Sequence, residues 1–442
     1  MNERVANQLS MRSQLLRDPR VSEFGFVSRV VGLTIETQGV KAALGSICEI
    51  ERESGPPIEA QVVGFSGDNA FMMAFGETSG LNLGAKVRKT ADADVALVGR
   101  AALGRVLDAR GQPLDGLPPI VGLKATPMLG KAINPMERLP IEKTLDVGVR
   151  AVNALLTVGC GQRIGLIAGS GVGKSVLLGM MTKFSRADVI VIGLIGERGR
   201  EVKEFIEQIL GVEGLKRSVV VAAPADNSPL QRIRAVQMAH SYAEYFKESG
   251  DDVLLLVDSL TRVAHAQREI GLAVGEAPTT KGYTPSVLGL LPKLIERTGT
   301  GTQGQGTITA FYTVLAEGDD LNDPVVDIAR ASLDGQIALS RELADQGHFP
   351  AIDLVGSVSR LMPVLANQDQ LDNALRFRRV WSIYQENKEL VQVGAYQKGS
   401  DPDMDTALRT IPQITDFLTQ KMNESSSLDD SIAALREVVH EF

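Results

Sequence analysis

Residues 168–181 read AGSGVGKSVLLGMM. An apolar run, RIGLIA (163–168), leads into this stretch, and an apolar helical pattern leaves it. The order is therefore buried strand, glycine-rich turn, helix. Glycines let backbone N–H groups converge on phosphate oxygens without a Cβ in the way. The helix N-terminus adds partial positive charge at the same point. Gly169, Ser170, Gly171, Val172 and Gly173 form the turn, and Lys174 and Ser175 open the helix. In this pattern the lysine reaches the β- and γ-phosphates and the serine hydroxyl ligates Mg²⁺. The first glycine usual to the pattern is Ala168 here. A small residue at a strand end still permits the turn. Lys174 is expected to face a ligand and not the core.

Working outward, further runs are almost wholly apolar: DVIVIGLIG (188–196), SVVVAA (218–223), DVLLLVD (252–258), TITAFYTVL (307–315) and QIALS (336–340). Helical patterns separate them. Strands buried on both faces of a parallel sheet read this way, with the helices as cover. The fold class expected is α/β. Asp258 ends one such run, where a carboxylate beside a phosphate loop can hold Mg²⁺ through water. Glu197 follows another, where a carboxylate can orient and deprotonate an attacking water. Arg198 and Arg200 stand beside it and suggest a charge network, although surface pairs would look the same.

The chain has 442 residues, which favours two to four domains. Hydrophobic residues make up 44% and charged residues 23%, an ordinary globular balance. No apolar run reaches membrane-span length, and residues 1–20 lack the apolar stretch of a secretory signal. Two cysteines, Cys48 and Cys160, argue for a cytosolic chain without a disulfide framework. The four histidines make no metal-ligand spacing. A formal charge of −8, with no basic stripe, argues against nucleic acid as a partner.

Four segments are expected. Residues 1–20 carry Val5, Leu9, Leu15 and Leu16 near helical spacing, and predict a helix that either packs on its own domain or docks a partner. Residues 21–90 contain VSRVVGLTIE, GSICEIE, EAQVVGFS and NAFMMAF, short strands separated by turn residues. They predict a small β-barrel, without the aromatic and basic interleaving of a nucleic-acid binder. Residues 91–365 hold the phosphate-loop core, approached through the Gly- and Pro-rich LGRVLDARGQPLDGLPPI (103–120), which reads as linker. Residues 366–442 predict a helical end, with Ile432, Leu435, Val438 and Val439 on one stripe.

AGSGVGKS, GERGRE, LLLVDSLTRVA, DGQIALSRELA and HFPAIDLVGSVSR together resemble the catalytic subunits of the rotary ATPase family, over nearly the whole chain. AGSGVGKSVLLGMM and VGAYQKGSDPDMD (393–405) make the chain most similar to the export ATPases of the flagellar type III apparatus. The injectisome export ATPases are the near relatives. The resemblance implies an N-terminal β-barrel, a RecA-like P-loop core and a C-terminal helical domain. It implies Mg-ATP hydrolysis coupled to protein export, with Lys174, Ser175 and Val176 at the nucleotide. Glu197 would be the catalytic carboxylate, Arg198 an aid in positioning the phosphates, and Asp258 the metal-side acid with Arg262 nearby. Arg360 would be an arginine finger, and Phe349 and Tyr396 would enclose the adenine.

Taken alone, Phe349 and Tyr396 read as core residues, and the resemblance turns them toward the base. Arg is a permanently charged fork suited to developing phosphoryl charge. The resemblance also implies a homohexameric ring and regulatory and stalk proteins as partners. It further implies chaperone–substrate complexes and a peripheral place at the inner-membrane export gate. Three other classes share the core residues: a rotary pump subunit, a nucleic-acid translocase and a non-hydrolysing nucleotide-binding subunit. The presence of both Glu197 and Arg360 argues against the last.

Overall fold

The computed structural model describes residues 24–442, apart from 93, 131, 132, 317–319 and 321. The helix expected over 1–20 lies outside the described residues. The chain divides into two compact units, Met1–Asp94 and Val95–Phe442.

In the first unit, alternation of apolar and polar residues produces short strands that must bury one face. β1 (Gly25–Val31), β2 (Thr34–Gln38), β3 (Ile47–Ile50), β4 (Ile58–Ser66), β5 (Asn69–Ala74) and β6 (Lys86–Ala91) close into a barrel of order β1-β2-β5-β4-β3-β6. Closure leaves no unpaired sheet edge. Val27, Ile35, Ile50, Ile58, Val62, Met72 and Val87 fill the interior. Cys48 joins them as a free thiol, and burial pushes its pKa up to about 11.

The second unit is built on one mostly parallel sheet. β7 (Val95–Val98) pairs with β9 (Lys124–Pro127) in a small ribbon. Between them β8 (Arg105–Leu107) joins the edge of the main sheet beside β12. The segment that reads as linker is thus partly a sheet strand. Asp115 fixes it by pairing with Arg105 at 2.7 Å and by accepting the Val106 N–H at 3.1 Å. The remaining strands are β10 (Arg163–Ala168), β11 (Val189–Ile195), β12 (Ser218–Ala223), β13 (Asp252–Asp258), β14 (Gly299–Thr300), β15 (Thr307–Leu315), β16 (Gly335–Leu339) and β17 (Ile352–Ser359). The order is β17-β16-β10-β15-β13-β11-β12-β8, with β14 beside β15. Along that order all neighbours from β8 to β16 are parallel, β17 runs antiparallel on β16, and β14 runs antiparallel on β15. The fold class is the α/β architecture expected.

Every residue of β11 and β12 is buried, as a sheet covered on both faces requires. The helix Lys174–Phe184 packs its Leu177, Leu178, Met180 and Met181 into the core. The C-terminal helices Gln368–Gln392, Pro402–Leu418 and Leu428–His440 belong to that same core through Phe377, Trp381, Ile414, Phe417, Leu435 and Val439. One apolar cluster runs from Val106 to Val439, across the expected division at 365/366. Among the described residues, no helix is long and apolar enough to cross a membrane.

Candidate functional site

The site forms where β10, β13 and β11 end, since parallel strands all deliver their loops to the same edge of the sheet. After β10 the chain turns through Gly171 (φ 78°) and Gly173 (φ 88°), both in the left-handed region that favours glycine. Gly173 has a second constraint. A Cβ there would lie 3.3 Å from the Phe349 ring. Lys174 then starts the helix Lys174–Phe184. Ala168, at the position of the usual first glycine, is buried at the end of β10, and its carbonyl accepts the Ala316 N–H at 3.1 Å.

Lys174 Nζ donates to Glu197 Oε1 at 3.4 Å and is hydrogen-bonded to Asp258 Oδ1. These three side chains are 12%, 16% and 5% exposed. Asp258 Oδ1 also accepts the Thr313 hydroxyl at 2.7 Å, which fixes the carboxylate at the strand end. Burial disfavours the Lys174 charge, but Asp258 and then Glu197 outweigh it and hold its pKa above the ordinary lysine range. Burial raises Glu197 to about 7, the Asp258 charge adds to this, and Lys174 opposes it. One ammonium thus serves two carboxylates. The surplus negative charge and the partly exposed Ser175 hydroxyl beside it are a donor set that fits a hard divalent cation bound with a phosphate chain. Arg262 lays its stem over Gly196, next to Glu197, and its Nε is buried without a hydrogen-bond partner. An orphaned cationic donor at this point suits an incoming anion.

A cleft of about 980 Å³ opens beside the phosphate loop. Gly171, Gly173, Val176, Leu177 and Met180 form one side, and Gly347, Phe349 and Pro350 another. Phe349 is 44% exposed, an available aromatic face. The third wall, Thr419 to Met422 with Glu424, comes from the segment after the helix Pro402–Leu418. Gln420 holds it in place: its N–H donates to the Phe349 carbonyl at 2.9 Å, and its Oε1 accepts the Arg150 N–H at 2.7 Å. Arg150 Nη2 pairs with Glu424 at 2.6 Å. Sequence reasoning missed this wall.

Not every expected residue gathers here. Tyr396 does not line the cleft; its hydroxyl donates to Asp405 Oδ1 at 2.9 Å and to the Asp401 carbonyl at 3.0 Å, tying down its own loop. Those bonds, and not a contact with the cleft lining, are what the structure gives for this side chain. Arg198 is 84% exposed and stands 3.7 Å from Glu201. Arg360 is exposed just past the end of β17, where Nη2 donates to the Arg330 carbonyl at 3.2 Å. It does not line the cleft of its own chain. Ser170 is exposed at the turn and Val172 is buried beneath it.

Residues 148–359 match the ATP synthase alpha/beta family nucleotide-binding domain, and residues 27–91 match that family's beta-barrel domain. Residues 366–437 match the T3SS EscN ATPase C-terminal domain. The chain is 54% identical over 418 residues to the flagellum-specific ATP synthase of Pseudomonas aeruginosa, covering 94% of this chain and 93% of that one. It is 53% identical over 427 residues to the same-named protein of Salmonella typhimurium, covering 94% of each. Among solved structures it is similar to the assembled ATPase EscN of the enteropathogenic E. coli type III secretion system. The TM-score is 0.89 and the identity 39%, over 94% of this chain and all of that one. A second structure of EscN, in complex with its central stalk EscO, is similar with a TM-score of 0.86 and 38% identity over 94% of this chain.

Proposed function

The chain belongs to the ATP synthase alpha/beta family, as an ATP hydrolase of type III protein export, and from that premise we propose that it energises export of flagellar proteins by the chemistry below. The observation that carries the proposal is Lys174 held between Glu197 and Asp258 at the mouth of a glycine-rich phosphate loop.

ATP enters with its phosphates in the loop Gly169–Ser175 and its base against Phe349. The triphosphate takes Lys174 over from Asp258, because phosphate oxygens offer the ammonium more charge than one carboxylate does. Glu197, freed from the ammonium, orients a water in line with the γ-phosphorus and takes its proton as the new P–O bond forms. The bond to the β–γ bridging oxygen breaks, and ADP and phosphate leave. Mg²⁺ would be held by Ser175 and, through water, by Asp258, and supplies charge neutralisation on the phosphate oxygens. Arg262 meets the same anion from the side of Gly196.

Arg360 lies away from its own cleft, so its role as a finger requires a neighbouring copy. Each chain then gives a carboxylate to one interface and an arginine to the next. Such a head-to-tail contact closes as a ring, and we assign it six copies. EscN has been solved as an assembled ATPase and with its central stalk, which supports a ring with a stalk partner here. Regulatory proteins, chaperone–substrate complexes and a peripheral seat at the inner-membrane export gate complete the proposed setting. Capture of partners from cells bearing the tagged chain tests it. Recovery of flagellar basal-body components is expected; recovery of injectisome components alone would move the chain to that apparatus.

A further inference from the structure

β10 has two ends, and both carry chemistry. Its C-terminal end opens into the phosphate loop. Immediately before its N-terminal end stands Gln162, a fully buried polar side chain whose Nε2 donates to Ser359 Oγ at 3.1 Å and to the Asp334 carbonyl at 3.3 Å. Its Oε1 accepts the Gly159 N–H at 2.9 Å, so the side chain cannot turn without breaking these bonds together. Both partners of Nε2 are the footing of Arg360. Ser359 precedes it directly, and the Asp334 carbonyl accepts the Arg360 N–H at 3.0 Å. Ser359 Oγ in turn donates to the Thr157 carbonyl at 2.7 Å. Asp334 is tied back to the start of β10, its N–H on the Arg163 carbonyl at 2.8 Å and its Oδ2 accepting the Arg163 N–H at 3.0 Å. No similar brace acts on the guanidinium itself, whose only protein partner among the described residues is the Arg330 carbonyl.

We propose that Gln162 is the positioning residue of Arg360, fixing the arginine's backbone to the start of the strand that carries the chain's own phosphate loop. This rests on the reading above in which Arg360 serves the neighbouring copy's site. A buried amide is strongly oriented, since leaving any of its groups unpaired is costly. β10 lies inside the sheet between β16 and β15, and is roughly 20 Å long at 3.3 Å per residue. The same strand thus joins the chain's own phosphate loop to the footing of the arginine offered to the next site.

The test uses the full-length chain with Gln162→Met, which keeps length and burial and removes donor and acceptor. The chain's own nucleotide affinity, read with a fluorescent ATP analogue, should change less than about 3-fold. Its kcat should fall by roughly 100-fold, the cost of an ångström-scale misplacement. Two mixtures separate the ends of β10. Mixed with Glu197→Gln, whose arginine is sound, the variant should regain hydrolysis above either protein alone. Mixed with Arg360→Ala, whose carboxylate is sound, it should regain none. Recovery only with Arg360→Ala would put the damage in the variant's own phosphate loop and overturn the proposal, as would recovery in neither or in both. A reference mixture of Glu197→Gln with Arg360→Ala guards the premise. If that pair regains nothing although mixed rings form, the neighbouring-copy reading fails and this proposal falls with it. Should Gln162→Met not fold, Ser359→Ala removes the hydroxyl that Gln162 grips and gives the same two expected outcomes.

Discussion

Lys174 and Glu197 stand 3.4 Å apart, ammonium to carboxylate, and Asp258 grips the same ammonium from its other side. The phosphate-binding lysine thus shares a buried charge cluster with both carboxylates.

Glu197 titrates near 7 because burial and the Asp258 charge both favour its neutral form. Hydrolysis needs the ionised form, so kcat/KM for ATP should fall about 10-fold per pH unit below that value. Stability runs the other way. A carboxyl whose folded pKa is raised contributes stability that is full below its unfolded value, near 4.5, and lost as pH rises through about 7. Glu197→Gln should therefore gain stability relative to wild type more at pH 8 than at pH 5, by about 3 kcal/mol at most. An equal offset at both pH values would contradict the assignment.

Replacing Lys174 by Ala should reduce hydrolysis by roughly 10³-fold or more, since a charge on the transferring phosphate is lost. The lysine was expected to face only a ligand, which would leave the fold untouched. Its ion pairs change that expectation. Without the ammonium, two buried carboxylates confront each other, and breaking a buried pair costs about 3–5 kcal/mol. The melting deficit should be largest at pH 8 and shrink toward pH 6, where Glu197 takes up a proton. A pH-independent deficit, read by calorimetry, would count against the cluster.

Phe349 and Tyr396 should separate cleanly. Phe349→Ala removes a stacking face worth about 1–3 kcal/mol, so KM for ATP should rise about 10-fold or more with kcat little changed. Tyr396→Phe deletes the bonds to Asp401 and Asp405, none of which lines the cleft, and should leave KM within about 2-fold. Steady-state kinetics on the two variants checks both.

An arginine finger is worth roughly 10³–10⁵ in rate. Glu197→Gln and Arg360→Ala should each be almost inactive, and their mixture should hydrolyse ATP at interfaces that join the two sound residues. Specific activity of the wild type should also climb with protein concentration. Mixed rings without recovered activity would show that Arg360 does not act on a neighbour.

Lys174, Glu197 and Asp258 were readable because each sits at the end of an apolar run, and parallel strands bring such ends together. The barrel was readable from its several short β-type runs separated by turn residues. β8 was not, since three residues in a Gly- and Pro-rich stretch are too few to establish a period. The third wall of the cleft was not readable either: Gln420 meets Arg150 across 270 residues, and a polar loop residue carries no periodic signal. Tyr396 was placed by likeness alone, and the competing partner, Asp405, lies nine residues on, in a helix start that can draw a hydroxyl to itself.

The bonds from Gln420 to Phe349 and Arg150 mean that the helical end is no interchangeable accessory. A chimera spliced at residue 365, or a chain cut at residue 418, would keep the whole phosphate loop yet lose a side of the base cleft. Exchange of tails between relatives should succeed only when the donor brings its own match for that clasp. Inheritance of the two halves is thereby linked, residue against residue, however separate their outlines in the chain.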